Sequence, residues 1–232
     1  MPPSVVKYME SWKKFCPDFE LKLWDENNFD VHSVPFVHEA YEAKKWAFVS
    51  DYVRTYALYE EGGLYVDTDV EFIKPIDDLT ENSFMGFEAP DIVAPGLILY
   101  AKAPKQEFFG KVLKHYNQLH FSEDVKSEIS SPKIYTQILK DEGLILNNSL
   151  QQVGEIIVYP TEYFQPLGDS RYGLKKQFTV NTRTIHHYDA SWLNKIEKEY
   201  YFIRKKYGNF WGKVFFTFKH PIVALKKLVK RG

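Results

Sequence analysis

The chain has 232 residues, of which 44% are hydrophobic and 17% aromatic, a composition that supports one full hydrophobic core and excludes a disordered or fibrous protein. Its single cysteine excludes an intrachain disulfide framework and a thiolate zinc site. The formal net charge is -1, but residues 200–232 hold nine basic residues and no acidic ones, which leaves 21 basic and 31 acidic residues before them. An acidic body with a basic, aromatic tail predicts an anionic partner for the tail, either membrane lipid or nucleic acid.

The amino terminus and the overall hydrophobicity bear on location. Met1-Pro2-Pro3-Ser4 has neither the charged region nor the apolar run of a secretory signal. No stretch reaches the roughly 20 apolar residues of a membrane-spanning helix. We therefore expect a cytoplasmic protein, peripheral on the inner face of a membrane if the tail binds lipid.

Helical and strand-like patterns alternate from the amino terminus onward. A Gly62-Gly63 pair marks the end of the longest helical pattern, because glycine accepts the positive backbone angles of a helix stop. The predicted helices cover residues 5–16, 35–61, 106–120 and 134–141, and the predicted strands cover residues 19–23, 64–66, 70–73, 84–88, 92–101, 156–159 and 179–187.

This alternation indicates an α/β fold with a mostly parallel sheet flanked by helices. We predict an α/β domain over residues 1–199 and a basic, aromatic, helical tail over residues 200–232. Apolar residues of the tail alternate with lysines, and Pro221 excludes one uninterrupted helix. Two interpretations stay open: an interfacial anchor on anionic lipid, or an apolar face that packs on the α/β domain.

Asp67-Thr68-Asp69 follows a short apolar strand, where α/β sheets bind ligands. Two carboxylates at this spacing suit Mg²⁺ or Mn²⁺, whose remaining positions are filled by substrate phosphates. Solvated turn carboxylates are the alternative. Asp51 and Arg54 lie on one helical face just before this strand, where they could hold sugar hydroxyls and phosphate, or form a surface ion pair.

The sequence around these residues resembles a known family. The runs are Ala47-Phe48-x-Ser50-Asp51-Tyr52-x-Arg54 and Leu58-Tyr59-x-x-Gly62-Gly63-x-Tyr65-x-Asp67-Thr68-Asp69-Val70-Glu71, continued by Ile185-His186-His187-Tyr188-x-x-Ser191-Trp192. They resemble glycosyltransferases with the DXD sugar-binding motif, a family that includes bacterial capsular polysaccharide enzymes, fungal outer-chain mannosyltransferases and, more distantly, glucosylating toxins. The resemblance implies a GT-A fold, which is Rossmann-like, and a retaining transfer from a nucleoside diphosphate sugar.

The resemblance also implies roles for individual residues. Asp51 and Arg54 would contact the donor sugar, Tyr65 and Asp67 the nucleoside and sugar, and Asp69 the metal ion. In the closing segment His187 would complete the metal coordination, with His186 as its competitor. Ser191 and Trp192 belong to the same closing pattern, in which the tryptophan covers the donor, although Trp192 could equally be a core residue.

The predicted function is therefore a Mn²⁺- or Mg²⁺-dependent glycosyltransferase of the hexosyltransferase type, active in surface polysaccharide or capsule synthesis. We expect a UDP-sugar donor first and GDP-mannose second, with a saccharide or lipid-linked saccharide as acceptor. A non-catalytic sugar-nucleotide or glycan-binding relative is the alternative. A third hypothesis, a nucleic-acid-binding protein, is supported only by the basic tail, and the acidic body and the absence of a recognition motif argue against it.

One departure from the family pattern concerns the first strand. Family members begin with an apolar strand that ends in a His-x-x-Trp-type segment, and this sequence starts after it. We expect a sheet that lacks this strand to expose an unpaired edge, which would favour a homodimer or lower the activity.

Overall fold

The computed structural model describes residues 2–124, 128–188 and 195–220, in which helices alternate with short strands. The helices are α1 (Pro3–Phe15), α2 (Pro35–Glu42), α3 (Trp46–Glu61), α4 (Glu107–Tyr116), α5 (Ser131–Asp141), α6 (Thr161–Phe164) and α7 (Lys195–Lys219), with a 3-10 turn at Asp77–Leu79. The strands are β1 (Gly63–Tyr65), β2 (Val70–Phe72), β3 (Ser83–Ala89), β4 (Ile92–Val93), β5 (Leu99–Ala101), β6 (Gln151–Val153), β7 (Ile156–Tyr159) and β8 (Thr184–His186).

The main sheet has the strand order β1-β5-β3-β7-β6, with β4 paired to β3. Strands β3 and β7 are parallel, and the other pairings of this sheet are antiparallel. Strands β1, β3 and β7 therefore point in one direction and β5 and β6 in the other. The α/β class is confirmed, and this mixed sheet flanked by helices is compatible with a GT-A-like fold. No described strand pairs with the outer side of β1, so dimerisation through that edge stays a prediction.

The core lies between this sheet and helices α3, α4 and α5. Its largest fully buried side chains are aromatic. The hydroxyl oxygen of Tyr135 on α5 lies 2.6 Å from the hydroxyl oxygen of Thr55 on α3, so a hydrogen bond joins the two helices. The helical face of α3 that points inward includes Asp51 and Arg54, which are 8% and 7% exposed. The packing of α3 therefore carries two charged residues towards the ends of β1 and α5.

Four predicted elements differ from the observed ones. The strand predicted at residues 179–187 is limited to β8, because hydrogen bonds between Thr179 and Thr182 close a turn before it. The predicted strand at residues 19–23 is wrong: no described strand pairs with it, and Leu21 and Leu23 are 50% and 76% exposed. The predicted helix at residues 35–61 is two helices, because Lys44 takes a left-handed backbone and Lys45 N–H bonds back to the Ala40 carbonyl.

The predicted strand at residues 92–101 is interrupted by a turn, in which Leu97 N–H donates to the Ala94 carbonyl. Proline at position 95 has no N–H for a sheet ladder and a fixed φ, which accounts for the break. The turn places the Gly96 carbonyl where it accepts a hydrogen bond of 3.0 Å from Asp67 N–H. The turn between β4 and β5 is thus hydrogen-bonded directly to the Asp-Thr-Asp segment.

Helix α1 covers the free edge of β2. The Trp12 indole N–H donates to the Val70 carbonyl at 2.7 Å, and Phe72 N–H donates to the Ser11 hydroxyl at 2.9 Å. Strand β8 occupies the opposite edge of β2 in antiparallel register, with Val70 opposite His186. Side chains therefore satisfy backbone groups that would otherwise need another strand.

The second compact unit comprises Leu167–Gln177 together with the described residues 195–220. Gly208 has a non-helical backbone with φ of 76°, which divides α7 into two helical arms. The arms pack on each other, since the Tyr200 and Phe216 rings are 4.7 Å apart and a Cβ at Gly212 would lie 2.7 Å from Arg204 Cα. Asp169 is 3% exposed and ion-paired with Arg171 in the same unit. The helices of the described residues are too short or too polar to span a membrane.

Cys16 provides a probe of this fold. The side chain is buried, and this burial together with the negative charge of Asp77 raises the pKa of its thiol to about 12. Because the thiolate is the reactive form, we expect native protein to react with an aromatic disulfide reagent about 10³-fold more slowly than a free thiol of pKa about 8.5. Measuring the reaction across a urea titration should show labelling that appears only with unfolding. Fast labelling without denaturant would contradict the buried position of Cys16.

Candidate functional site

The Asp67-Thr68-Asp69 segment connects β1 to β2. Its backbone is held at two points, because Asp67 N–H donates to the Gly96 carbonyl and the Asp67 carbonyl accepts from Val70 N–H, both at 3.0 Å. The side chain of Asp67 is 32% exposed, whereas that of Asp69 is 15% exposed. A fixed loop thus presents two carboxylates at the end of a short strand.

Asp67 is oriented by two neighbours. Its Oδ1 atom lies 3.2 Å from Arg54 Nη1 and accepts a hydrogen bond of 2.9 Å from the Tyr65 hydroxyl. Burial raises the pKa of Tyr65 well above its ordinary value; the charge of Arg54 opposes that rise, and Asp67 adds to it. The Tyr65 hydroxyl therefore stays protonated and continues to donate to Asp67. The guanidinium of Arg54 also lies over the Tyr65 ring, at 4.5 Å from its centroid.

Arg54 joins Asp67 to a second, more deeply buried carboxylate. Its Nη2 atom lies 2.9 Å from Asp51 Oδ1, and its Nε and Nη2 atoms donate to the Ser50 carbonyl and hydroxyl at 3.2 Å. Asp51 also accepts a hydrogen bond of 2.7 Å from the Ser131 hydroxyl at the start of α5. Burial raises the pKa of Asp51, while Arg54 and Ser131 oppose that rise. Asp51 and Arg54 thus form an ion pair, as one interpretation of their spacing predicts, but the pair is buried rather than on the surface.

Strand β8 brings a histidine to Asp69. His186 Nε2 lies 3.0 Å from Asp69 Oδ1, and the other ring nitrogen of His186 is buried without a hydrogen-bond partner in the described part of the chain. His187 contacts a different acid: its Nε2 lies 2.8 Å from Glu71 Oε2, and its ring stacks on Tyr8 at 4.5 Å. The two histidines diverge because neighbouring side chains point to opposite faces of a strand.

Asp67, Asp69 and His186 therefore form one cluster, in which each residue offers a ligand atom and these atoms lie within 4.8 Å of one another. Two carboxylates and an imidazole fit a divalent ion such as Mn²⁺. Of the residues that the sequence assigns to the metal, Asp67 and Asp69 lie in this cluster and His187 lies outside it, beside Glu71. Ser191 and Trp192 fall outside the described residues.

Because Gly96 has no side chain, it leaves room for the carboxylate of Asp67. A Cβ atom at this position would lie 2.3 Å from Asp67 Oδ2, far inside van der Waals contact. Sequence reasoning missed Gly96 and also Ser131, because both approach the site from segments that carry no motif. Glu71 and His187, in contrast, belong to the quoted family pattern but had no predicted interaction with each other.

We predict that Gly96→Ala displaces the Asp67 carboxylate without unfolding the chain. The expected result is a weakening of Mn²⁺ binding by about 10-fold or more, comparable to the loss of an outer partner of a metal ligand. The measurement is a Mn²⁺ titration followed by electron paramagnetic resonance. Gly110→Ala on α4 is the control, since its nearest contact would be a Tyr59 ring atom at 3.3 Å. Equal Mn²⁺ affinity in both variants would show that Gly96 does not position Asp67.

Comparison with known proteins identifies the first part of this site. Residues 2–85 match the family model of the glycosyltransferase sugar-binding region containing the DXD motif. This part of the chain is therefore similar to that family of glycosyltransferases. The matched region contains Asp51, Arg54, Tyr65 and both aspartates of the Asp-Thr-Asp segment, and it ends before the strand that carries His186.

One curated protein is also similar to part of this chain. Over 94 residues this chain is 30% identical to the initiation-specific alpha-1,6-mannosyltransferase of Candida albicans. The alignment covers 38% of this chain and 24% of that relative. The chain therefore spans about a quarter of the length of the relative that it matches. No solved structure matches the chain.

Proposed function

We propose that this glycosyltransferase moves a hexose from a nucleoside diphosphate sugar to a saccharide or lipid-linked saccharide acceptor, with retention of configuration, in surface polysaccharide synthesis. The observation that carries the proposal is the cluster of Asp67, Asp69 and His186 beside the buried Arg54. The similarity of residues 2–85 to a glycosyltransferase sugar-binding region supports the reaction class.

The cluster would hold the metal ion of the reaction, Mn²⁺ or Mg²⁺. We assign the histidine ligand to His186, since its Nε2 atom lies at 3.0 Å from Asp69, and we assign His187 to a supporting role through Glu71. The bound ion supplies charge neutralisation of the departing diphosphate. The partial exposure of Asp67 leaves a side on which phosphate oxygens can approach.

The other residues of the site orient these ligands. Arg54 uses its donors on Asp51, Ser50 and Asp67, so its role is to fix the Asp67 carboxylate rather than to bind phosphate. Tyr65 donates to the same oxygen of Asp67 and stays protonated. Asp51 anchors Arg54 to the start of α5 through Ser131. A site held on α3 and on strand ends is pre-organised before the donor arrives. By the resemblance, Trp192 would cover the bound donor, with Ser191 in the same closing segment.

An activity assay with a panel of nucleoside diphosphate sugars tests this proposal. The panel contains UDP-sugars, and it contains GDP-mannose because the relative from Candida albicans is named a mannosyltransferase. Released nucleoside diphosphate is measured with Mn²⁺, with Mg²⁺ and with a chelator, each with and without oligosaccharide acceptors. We expect release from one donor that requires the metal and that is faster with an acceptor. Metal-dependent nucleotide binding without turnover would instead favour the non-catalytic binding protein. If the chain showed no nucleotide binding and no turnover, the enzyme hypothesis and the binding-protein hypothesis would both be overturned.

Exposed aromatic and basic residues of the second unit support a membrane surface as a further partner. The outer face of its second arm exposes Trp211, Phe215 and Phe218 by 59%, 48% and 83%, at positions one helical turn apart. The described residues 195–220 contain seven Lys or Arg and two Glu. Exposed aromatic residues among basic ones bind anionic lipid surfaces, on which a lipid-linked acceptor would lie.

We predict that Trp211→Ser lowers binding to vesicles of phosphatidylcholine with phosphatidylglycerol by at least about 5-fold, because an aromatic anchor leaves the interface. Sedimentation with the vesicles measures the bound fraction. Trp46→Ser is the matched control, since Trp46 is 54% exposed on the first unit. Binding that is equal for both variants, or equal on vesicles without the anionic lipid, would contradict a membrane-binding face on α7.

A further inference from the structure

A cluster of two histidines and a glutamate lies along the exposed face of α2 and shares no residue with the candidate donor site. His38 and Glu42 are four residues apart on α2, and His32 lies in the turn before that helix. Each residue offers a ligand atom, and these atoms lie within 4.8 Å of one another. All three are exposed, whereas the opposite face of α2 is buried through Phe36, Val37 and Ala40. The cluster is therefore open to solvent on a helix that the core holds in place.

The turn that carries His32 is fixed by local hydrogen bonds. Asp30 Oδ1 accepts from His32 N–H at 2.9 Å, and the Asp30 carbonyl accepts from the N–H and hydroxyl of Ser33 at 3.1 Å and 2.6 Å. Val31 and Val34, on either side, are buried in the core. The imidazole of His32 is thus held towards α2 by the backbone instead of being free to move in solvent.

The two imidazoles meet through ring nitrogens of the same kind. His32 Nδ1 and His38 Nδ1 lie 2.8 Å apart, with the ring centroids at 4.9 Å. At this distance at least one nitrogen must present a lone pair, because two protonated nitrogens would repel each other. In a tetrahedral zinc site with Zn–N bonds of about 2.0 Å, two ligand nitrogens are about 3.3 Å apart. Small rotations of the two rings would open the observed gap to that separation.

We propose that His32, His38 and Glu42 form a site for Zn²⁺ or a similar transition-metal ion, with a fourth position open to water or another ligand. Two nitrogens and one carboxylate oxygen are a common ligand set for zinc. Imidazole-rich sites also favour zinc over manganese, in accordance with the order of stability of divalent ions. The chain would then hold two kinds of metal site: this one on α2, and the carboxylate-rich one of Asp67 and Asp69.

The ordinary alternative is a hydrogen bond between the two histidines, with Glu42 solvated nearby. It makes a different prediction, because a histidine pair without metal affinity gives no zinc-dependent signal when either residue is replaced. The two sites also differ in the residues that they need. Zinc binding that depends on His32 but not on Asp69 belongs to the α2 site.

Isothermal titration of the full chain, without a histidine tag, with zinc chloride tests the proposal. We expect His32→Ala to lose one equivalent of zinc relative to wild type, and Glu42→Gln to weaken the same equivalent by about 10-fold or more. His115→Ala, which removes an exposed histidine of α4, should retain it, as should Asp69→Asn. Identical stoichiometry and affinity in His32→Ala and His115→Ala would overturn the site.

Cobalt spectroscopy gives a second readout that does not depend on the folding of His32→Ala. Cobalt(II) in a four-coordinate nitrogen and oxygen site has a visible absorption band that six-coordinate cobalt nearly lacks. We expect this band in the wild type and in Asp69→Asn, and its removal by an equivalent of zinc. Its absence from the wild type would count against the proposal, whatever the folding of His32→Ala.

Discussion

Asp69→Asn is expected to abolish most metal-dependent release of nucleoside diphosphate while leaving the fold intact. The substitution keeps the size of the side chain and a carbonyl oxygen near His186 Nε2, but it removes one of the two negative charges of the Asp-Thr-Asp segment. If the charge supplies about 3 kcal/mol of stabilisation to the departing diphosphate through the ion, the rate falls by about 100-fold. The measurement is nucleotide release at saturating donor, with Mn²⁺ varied.

Asp18→Asn is the matched control, because Asp18 is an exposed carboxylate in the turn after α1. It should retain wild-type activity and the wild-type Mn²⁺ dependence. Raising the Mn²⁺ concentration should restore part of the activity of Asp69→Asn only if the loss is in metal affinity. An Asp69→Asn enzyme that turns over at the wild-type rate at low Mn²⁺ would refute the assignment of Asp69 as a ligand.

The sequence predicted most elements whose signal is local. Gly62 and Gly63 have positive φ at the end of α3, as their pattern indicates, and the strands before and after Asp67-Thr68-Asp69 form where apolar residues predict them. The strand predicted at residues 19–23 failed, because alternation cannot show whether a partner strand is within reach. The break at Lys44 was missed for a similar reason, since Ala43, Lys44 and Lys45 are good helix formers and the cause of the break is a backbone bond to Ala40.

The candidate site shows the same limit. The spacing of Asp51 and Arg54 predicted one shared face of a helix, and the apolar strand before Asp67 and Asp69 predicted their place at its end, but the contact of Arg54 with Asp67 was not predicted. The choice between His186 and His187 could not be made from the sequence, since a shift of one residue along β8 exchanges their faces. In the structure His186 Nε2 lies 3.0 Å from Asp69 Oδ1, whereas His187 Nε2 lies 2.8 Å from Glu71 Oε2.

Arg54→Met is expected to be the most destabilising of the substitutions considered. Asp51 is 8% exposed and Asp67 approaches Arg54 from the other side, so removal of the guanidinium leaves a buried carboxylate without its cation and a second one nearby. Breaking a buried pair from one side costs about 3–5 kcal/mol. Urea unfolding followed by circular dichroism should therefore show a large fall in the midpoint concentration.

The double variant Arg54→Met/Asp51→Asn separates the charge from the packing. Neutralising Asp51 removes the unpaired buried charge, so the double variant should regain part of the stability that Arg54→Met loses, and the two effects should not add. Lys22→Met, which removes the cation of an exposed pair with Glu61, should cost less than about 1 kcal/mol. If Arg54→Met were no more destabilising than Lys22→Met, the Asp51–Arg54–Asp67 network would not be the buried support that positions the donor site.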